Sequence, residues 1–252
     1  MRTTSRTQPA GSQSPGGYGF HPIGIVRSCY TDKFGIPRQP GLVTAAEARL
    51  ELFPQYAREE AFAGLSGFSH VWLIFVFHAC LATEWRPMVR PPRLGGNRKV
   101  GVFASRAPFR PNPIGLSAVE FTGLERLGKV LTMHLRGADL LDGTPVLDIK
   151  PYIPYADALP NANAGFAPDP PSKDWQIDFT PEALRQMLDL DPQGERQLPL
   201  LLAQILRQDP RPGYMERRPE RTDFGMRLYE LEIKWRLNGD RVAVISVSHA
   251  SD

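Results

Sequence analysis

The stretch GVFASRAPFRPNPIGLS, residues 101–117, constrains the fold more than any other part of the chain. Pro108, Pro111 and Pro113, with Arg106 and Arg110, fall within eight residues, directly after the apolar 100–103. Each proline removes a backbone donor and pushes the preceding residue toward extended geometry, so no helix runs through this spacing. The chain therefore sets a stiff, cationic, glycine-ended loop beside an apolar strand.

The surrounding sequence is strand-like as far as about residue 155. Residues 23–26 form a short β-rich segment, and VWLIFVF (71–77) is a continuous apolar run that predicts a strand buried on both faces. VGVFA, SAVEFTGL, KVLTMHL and TPVLDIK follow, each bounded by Gly, Pro or Asp, a rhythm that suggests a compact sheet or barrel. Regular alternation of strands with amphipathic helices, which a doubly wound nucleotide-binding domain requires, is missing. Residues 44–64 are ambiguous: Leu50 and Leu52 alternate as in a strand, whereas the part after Pro54 suits one or two helical turns.

Residues 154–172 are rich in Pro, Ala and Asn and read as a crossing segment or linker. Thr180 before Pro181 then marks a helix start, and LPLLLAQILRQ (198–208) predicts a second helix. Near the end, Tyr229, Leu231, Ile233, Trp235 and Leu237 alternate with charged residues. Asn238-Gly239 sits at a hairpin position and RVAVISV supplies the return strand. These signals describe a small α+β unit.

Composition narrows the class. With 252 residues, 42% of them hydrophobic, the chain is long enough for one large domain or for one plus an appendage. A net charge of +3 permits an anionic partner without requiring one. Cys29 and Cys80 are too few and too unpatterned for a disulfide scaffold or a zinc site, and His21, His70, His78, His134 and His249 show no metal-ligand spacing, so no metal is expected. Residues 1–17, MRTTSRTQPAGSQSPGG, hold no apolar run and read as a disordered tail. The run at 71–77 is far shorter than the roughly 20 residues a membrane helix needs. A cytoplasmic location is the default expectation.

Phosphate-loop and dinucleotide fingerprints are missing, and GLSGF (64–68) lacks a residue of the serine-hydrolase elbow. What remains is four dense polar and proline-rich motifs: PRQPGLV (37–43), VFHA (76–79), RPPRLGGNRKVGVFASRAPFRPNPIGLS (90–117) and LLDGTPVLDIKPYIPYAD (140–157). In this order they resemble the TsaA-like (TrmO) family of tRNA methyltransferases, densely over about 20–165, and QDPRPGY (208–214) is similar to the C-terminal extension of its bacterial members.

The resemblance implies a mainly β fold, a single-sheeted antiparallel β-barrel with a small α+β C-terminal domain, usually dimeric. It divides the chain into the tail at 1–17, a barrel at 18–165 that binds S-adenosylmethionine, and a C-terminal domain at 166–252 in contact with tRNA. The implied reaction is methylation of N6 of threonylcarbamoyladenosine beside the anticodon of threonine tRNA. The implied cofactor contacts are Gln39, Pro40, Gly41, His78, Ala79, Arg106, Leu116, Asp142, Gly143, Thr144 and Pro145.

Chemistry fits these positions. Gly41 and Gly143 allow close backbone approach, Arg106 suits a carboxylate in fork geometry, and Leu116 offers an apolar face to adenine. Gln39, His78 and Asp142 bring polar groups. The three prolines lower the entropy lost when a ligand orders the loop.

No catalytic residue is assigned; the candidates are Asn112, Asp148 and Lys150. Asn112-Pro113 is similar to the loop with which other amino-methyltransferases orient an exocyclic amine, though a turn role for Asn112 is the plainer reading. Arg90, Arg93, Arg98 and Lys99, and in the tail Tyr214, Arg217, Arg218 and Arg221, are candidate RNA contacts or simply solvated cations. A non-catalytic module binding S-adenosylmethionine or RNA, and a methyltransferase for another acceptor, stay open as alternatives.

Overall fold

The computed structural model describes residues 18–81, 84–95, 98–170, 173–212, 215 and 220–250. The tail expected at 1–17, and Tyr214, Arg217 and Arg218, lie outside the described residues.

Six strands close a barrel. In chain order the strands of this first half are β1 (Gly24–Ser28), β2 (Glu47–Leu52), β3 (His70–Val76), β4 (Met88–Val89), β5 (Val100–Gly101), β6 (Ile114–Leu127), β7 (Val130–Arg136) and β8 (Pro145–Pro151). The barrel order is β1-β2-β7-β6-β3-β8, with every neighbouring pair antiparallel. Closure comes from Gly24 and Ile25 pairing with Val146 and Pro145. Proline tolerates this place because it opens β8 and need not donate to the ladder. Alternate residues point inward, so Val26, Leu50, Leu73, Leu131, Met133 and Val146 fill the interior almost free of solvent. Each such burial stabilises the fold by about 1.5–3 kcal/mol.

The apolar run at 71–77 is not buried on both faces as its sequence suggests. Val71, Leu73 and Phe75 face the interior, while Trp72, Ile74 and Val76 are half-buried outside. A barrel has one inner face, and the outer face here is partly covered: Trp72 Nε1 donates to Asp157 Oδ2 at 3.0 Å and its ring lies 5.6 Å from that of Tyr152. VGVFA likewise gives only the two-residue β5, which pairs with β4 apart from the barrel, before the chain turns into a 3-10 segment at Val102–Ala104. The ambiguous 44–64 resolves into β2 and one 3-10 turn, Glu59–Phe62, with a second, Leu65–Gly67, directly after it.

After the barrel come a helical turn, α1 (Pro154–Asp157), then β9 (Gln176–Phe179), α2 (Pro181–Leu190), α3 (Leu198–Arg207), β10 (Asp223–Leu228), β11 (Leu231–Asn238) and β12 (Arg241–His249). Thr180 caps α2, its Oγ1 accepting from the Ala183 N–H at 3.1 Å. The sheet order is β10-β11-β12-β9, with β9 parallel to β12, and the sequence pattern had marked neither β9 nor β10.

The second core recruits part of the barrel chain. Cys29, Tyr30, Val43, Ala45 and Ala46, from the β1–β2 connection, are buried together with Leu201, Ile205, Met226 and Trp235. Backbone bonds reinforce the junction: the Tyr229 N–H donates to Cys29 O at 2.7 Å. The β1–β2 connection is thus anchored from both sides. Among the described residues no helix is long and apolar enough to cross a membrane.

Candidate active site

The loop at 101–117 owes its shape to one arginine and offers the other. Arg110 Nη1 donates to the carbonyls of Val102 (3.0 Å) and Ser105 (2.8 Å), and its guanidinium lies 5.4 Å from the Phe103 ring centroid. Ser105 Oγ donates back to Val102 O at 2.9 Å. Opposite, Arg86 stacks over Phe109 at 4.7 Å and its N–H donates to Phe109 O at 3.1 Å. Proline carbonyls take the remaining bonds: Arg110 N–H to Pro108 O and Phe77 N–H to Pro113 O, both 2.8 Å. Arg106 is exposed and donates to Gln39 Oε1.

This loop walls a cleft of about 470 Å³. The floor is barrel: Phe75 and Phe77 in T-shaped contact at 5.1 Å, with Gly115 and Ser117 of β6. The β1–β2 connection contributes Lys33, Pro37, Arg38 and Gln39, the turn after β3 gives His78, Ala79 and Cys80, and the segment after β7 gives Asp139 to Leu141 and Thr144. All four sequence motifs thereby reach one cleft from separate strands' ends.

Of the positions implied for the cofactor, Gln39, His78, Ala79, Arg106, Leu116 and Thr144 line the cleft. Leu116 is 52% exposed there and turns an apolar side chain to the cleft. The others lie at its margin. Gly41 at φ 76° approaches Gly137, donating to its carbonyl at 2.8 Å, and a Cβ on Gly137 would come within 3.2 Å of the Gly41 Cα. Asp142 Oδ1 accepts the Ser28 N–H at 3.0 Å, and Gly143 at φ 78° donates to Val26 O at 2.9 Å, so this turn is stitched to β1. An added Cβ on Gly143 would stand 3.9 Å from His78 Nε2. Pro145 pairs with Ile25 at the barrel seam.

The candidate catalytic residues lie elsewhere. Asp148 Oδ2 and Lys150 Nζ form an exposed ion pair at 2.9 Å on β8. Asn112 is exposed at the loop's turn, its carbonyl accepting the Ile114 N–H at 2.7 Å. Among the other residues weighed, His134 Nε2 meets Glu125 Oε2 at 3.0 Å on the surface, Arg93 donates to Asp169 O, and Arg90, Arg98 and Lys99 are exposed.

Asp139 is a cleft residue that sequence reasoning passed over. Its carboxylate accepts from Ser117 Oγ at 2.6 Å, and burial pushes its pKa up to about 6 against the pull of that hydrogen bond and of the Arg106 charge. Its motif, GADLLDG, contains the signal: two aspartates three residues apart, of which only Asp142 falls among the implied cofactor contacts.

In the C-terminal unit, Arg211 forks onto Asp209 at 2.7 and 2.8 Å and lies 5.0 Å from the Trp175 ring and 5.5 Å from Phe224. Arg221 stacks over Phe224 at 5.6 Å. Trp175, Arg211 and Arg221 border a second, smaller hollow of about 320 Å³.

Comparison with known proteins agrees with this architecture. The tRNA-methyltransferase O N-terminal domain matches residues 25–158 and the TrmO C-terminal domain residues 172–250. The chain is 44% identical over 218 residues to the tRNA (adenine(37)-N6)-methyltransferase of Escherichia coli, covering 86% of this chain and 92% of that one. It is 47% identical over 228 residues to the putative S-adenosylmethionine-dependent methyltransferase RcsF of Pseudomonas aeruginosa, covering 90% and 96%. The crystal structure of TrmO from Pseudomonas aeruginosa superposes with a TM-score of 0.76 at 40% identity, over 92% of this chain and 98% of that one. With both halves matched and nearly the full length of these relatives covered, the chain belongs to the tRNA-methyltransferase O family of S-adenosylmethionine-dependent enzymes.

Proposed function

We propose that the chain methylates N6 of adenosine 37 in tRNA with S-adenosylmethionine, and that its substrate is the threonylcarbamoylated adenosine of threonine tRNA. The observation that carries the reading is the cleft itself: motif loops from separate strands converge on one space whose rim holds the exposed Arg106 beside Gln39.

The residues present fit the cofactor. Arg106 provides a two-pronged receptor for its carboxylate, the exposed Leu116 an apolar face for its adenine, and His78, Gln39 and Thr144 polar groups for the ribose and base. Pro40, Gly41, Asp142, Gly143 and Pro145 shape the margin and hold it to the barrel. When bound, S-adenosylmethionine supplies an electrophilic methyl group on sulfur. The chain's own part is positioning: a loop fixed by Arg110 and three prolines presents Arg106 ready-oriented, so little ordering is required on binding. N6 gives up its proton to solvent as the methyl group is transferred, so this reading requires no strong base.

The tRNA is held by cations around the cleft and by the C-terminal unit, where Arg221 on Phe224 pairs a guanidinium with an aromatic ring. Phe103, 74% exposed, with Trp85 and Met88, provides apolar surface near the cleft for a second copy, and the active form is a cytoplasmic homodimer. Light scattering that reports a single 28.1 kDa chain at assay concentration would overturn the dimer.

The function is tested by nucleoside mass spectrometry on threonine tRNA incubated with the protein and S-adenosylmethionine. One added methyl group on the threonylcarbamoylated adenosine, and none on tRNA lacking that modification, is the expected result. Methylation of the unmodified tRNA alone would overturn the substrate, and no methylation of either would overturn the reaction.

A further inference from the structure

The charges lining the cleft are unbalanced. Lys33, Arg38, Arg106 and Arg110 are cationic, and among the described residues of the lining Asp139 is the single carboxylate. S-adenosylmethionine carries an α-ammonium as well as a carboxylate, and an ammonium placed among these cations needs an acceptor.

The neighbouring carbonyls are already engaged. Ala79 O accepts Lys33 Nζ at 3.2 Å, Leu140 O accepts Ser28 Oγ at 2.7 Å, and Leu141 O accepts Thr144 Oγ1 at 2.6 Å. Asp139 has acceptor capacity to spare. An ionised carboxylate offers about four lone-pair positions, of which the Ser117 hydroxyl, at 2.6 Å, and a backbone N–H of its own residue occupy two. That hydroxyl also fixes the carboxylate's orientation, since Ser117 is itself 2% exposed on β6. Burial of a carboxylate with so few partners is costly, and a bound cation offsets that cost.

We propose that Asp139 receives the α-ammonium of the cofactor's methionine moiety, opposite Arg106, so that the two side chains hold the amino-acid zwitterion from both ends. The proposal rests on the cofactor reading of the cleft. It gives the cleft a means of selecting ligands that carry an amino acid group over plain adenosine derivatives.

Calorimetric titration of the full chain with two probes tests it. S-adenosylhomocysteine keeps both the ammonium and the carboxylate; 5′-methylthioadenosine keeps the adenosine and sulfur and lacks both. Asp139→Asn preserves shape and removes the charge. It should weaken S-adenosylhomocysteine by roughly 10- to 100-fold, the range of a hydrogen bond to a charged group, and leave 5′-methylthioadenosine within about twofold.

Equal weakening of both probes overturns the proposal in favour of a structural role. Unchanged S-adenosylhomocysteine binding with turnover lost also overturns it, and makes Asp139 a proton acceptor instead. Failure of wild type to bind either probe overturns the cofactor reading, and the role of Asp139 with it.

Wild type provides a second arm that needs no variant. Deaminated S-adenosylhomocysteine should bind it as weakly as the complete ligand binds Asp139→Asn, and undiminished binding of the deaminated ligand overturns the proposal.

Discussion

Gln204 Oε1 accepts the backbone N–H of Ala45 at 2.9 Å, which ties α3 of the C-terminal unit to the β1–β2 connection of the barrel. The same carboxamide donates from Nε2 to Thr44 Oγ1 at 3.0 Å. That connection carries Pro37, Arg38 and Gln39 into the cleft a few residues earlier. The C-terminal unit therefore supports one wall of the cleft.

Gln204→Ala should lower unfolding free energy by about 1–2 kcal/mol, because it leaves a partly buried N–H without its acceptor. Affinity for S-adenosylhomocysteine should drop with it, since Gln39 loses its footing. A melting temperature that falls while ligand affinity stays at the wild-type value would show that the two units are not coupled through this contact.

Gly115 admits no side chain. An added Cβ would lie 2.2 Å from the Phe75 ring, and Phe75 is buried in the barrel against Phe77 on the cleft floor. Gly115→Ala should destabilise the chain by about 1–3 kcal/mol through overpacking and displace Phe77 with it. Combining it with Phe75→Leu makes room and should recover part of the loss. Chemical denaturation of the two single variants and the double variant measures the coupling, and strict additivity would remove Phe75 as the cause.

Much of this was legible in the chain. Alternation in β11, the Thr180-Pro181 cap and the hairpin signal at Asn238-Gly239 are local; the cap formed where its signal stood, β11 begins at Leu231 rather than Tyr229, and the turn falls one residue later, at Gly239-Asp240, because Asn238 pairs with Arg241. The 71–77 run misled because an uninterrupted apolar pattern does not distinguish a strand between two layers from one in a barrel whose outer face is partly covered by Tyr152 and α1. β9 was missed because its four residues lie beside a distant partner, β12, in parallel register. Within the site, the proline loop was plain from its spacing, yet the division of work between Arg106 and Arg110 depends on which backbone carbonyls come within reach. Asp139 was hidden for a related reason: its significance comes from Ser117, 22 positions away, and from burial that no local pattern encodes.

The two thiols should behave oppositely. Cys29 is fully buried in the second core, and burial pushes its thiol up to about 12, so little thiolate forms in the native state. Cys80 lines the cleft. Iodoacetamide should therefore label Cys80 in native protein, and Cys29 only after unfolding. S-adenosylhomocysteine should slow the labelling of Cys80 by covering it. Peptide mass spectrometry after timed labelling checks both points; native labelling of Cys29 at the rate of Cys80 would contradict the packing described for the β1–β2 connection.

Asp139 also makes the ligand-free protein sensitive to pH. Its carboxyl stands at about 6 in the folded chain against an ordinary 3.8, raised by burial. The native state thus holds this proton more tightly than the unfolded chain does. The stabilisation is complete below about pH 3.8 and is lost as pH rises through about 6. Lys33, Arg38, Arg106, Arg110 and His78, which line the cleft, and the buried Tyr30 are common to wild type and Asp139→Asn, so the difference between the two proteins isolates the carboxyl. That difference in melting temperature, wild type minus variant, should decrease from pH 4 to pH 7. Saturating S-adenosylhomocysteine should reduce this slope, because an ammonium beside the carboxylate favours its ionised form. A difference that grows with pH in the ligand-free protein would mean that Asp139 is held as a stabilised anion, with a cationic partner already in place before any ligand arrives.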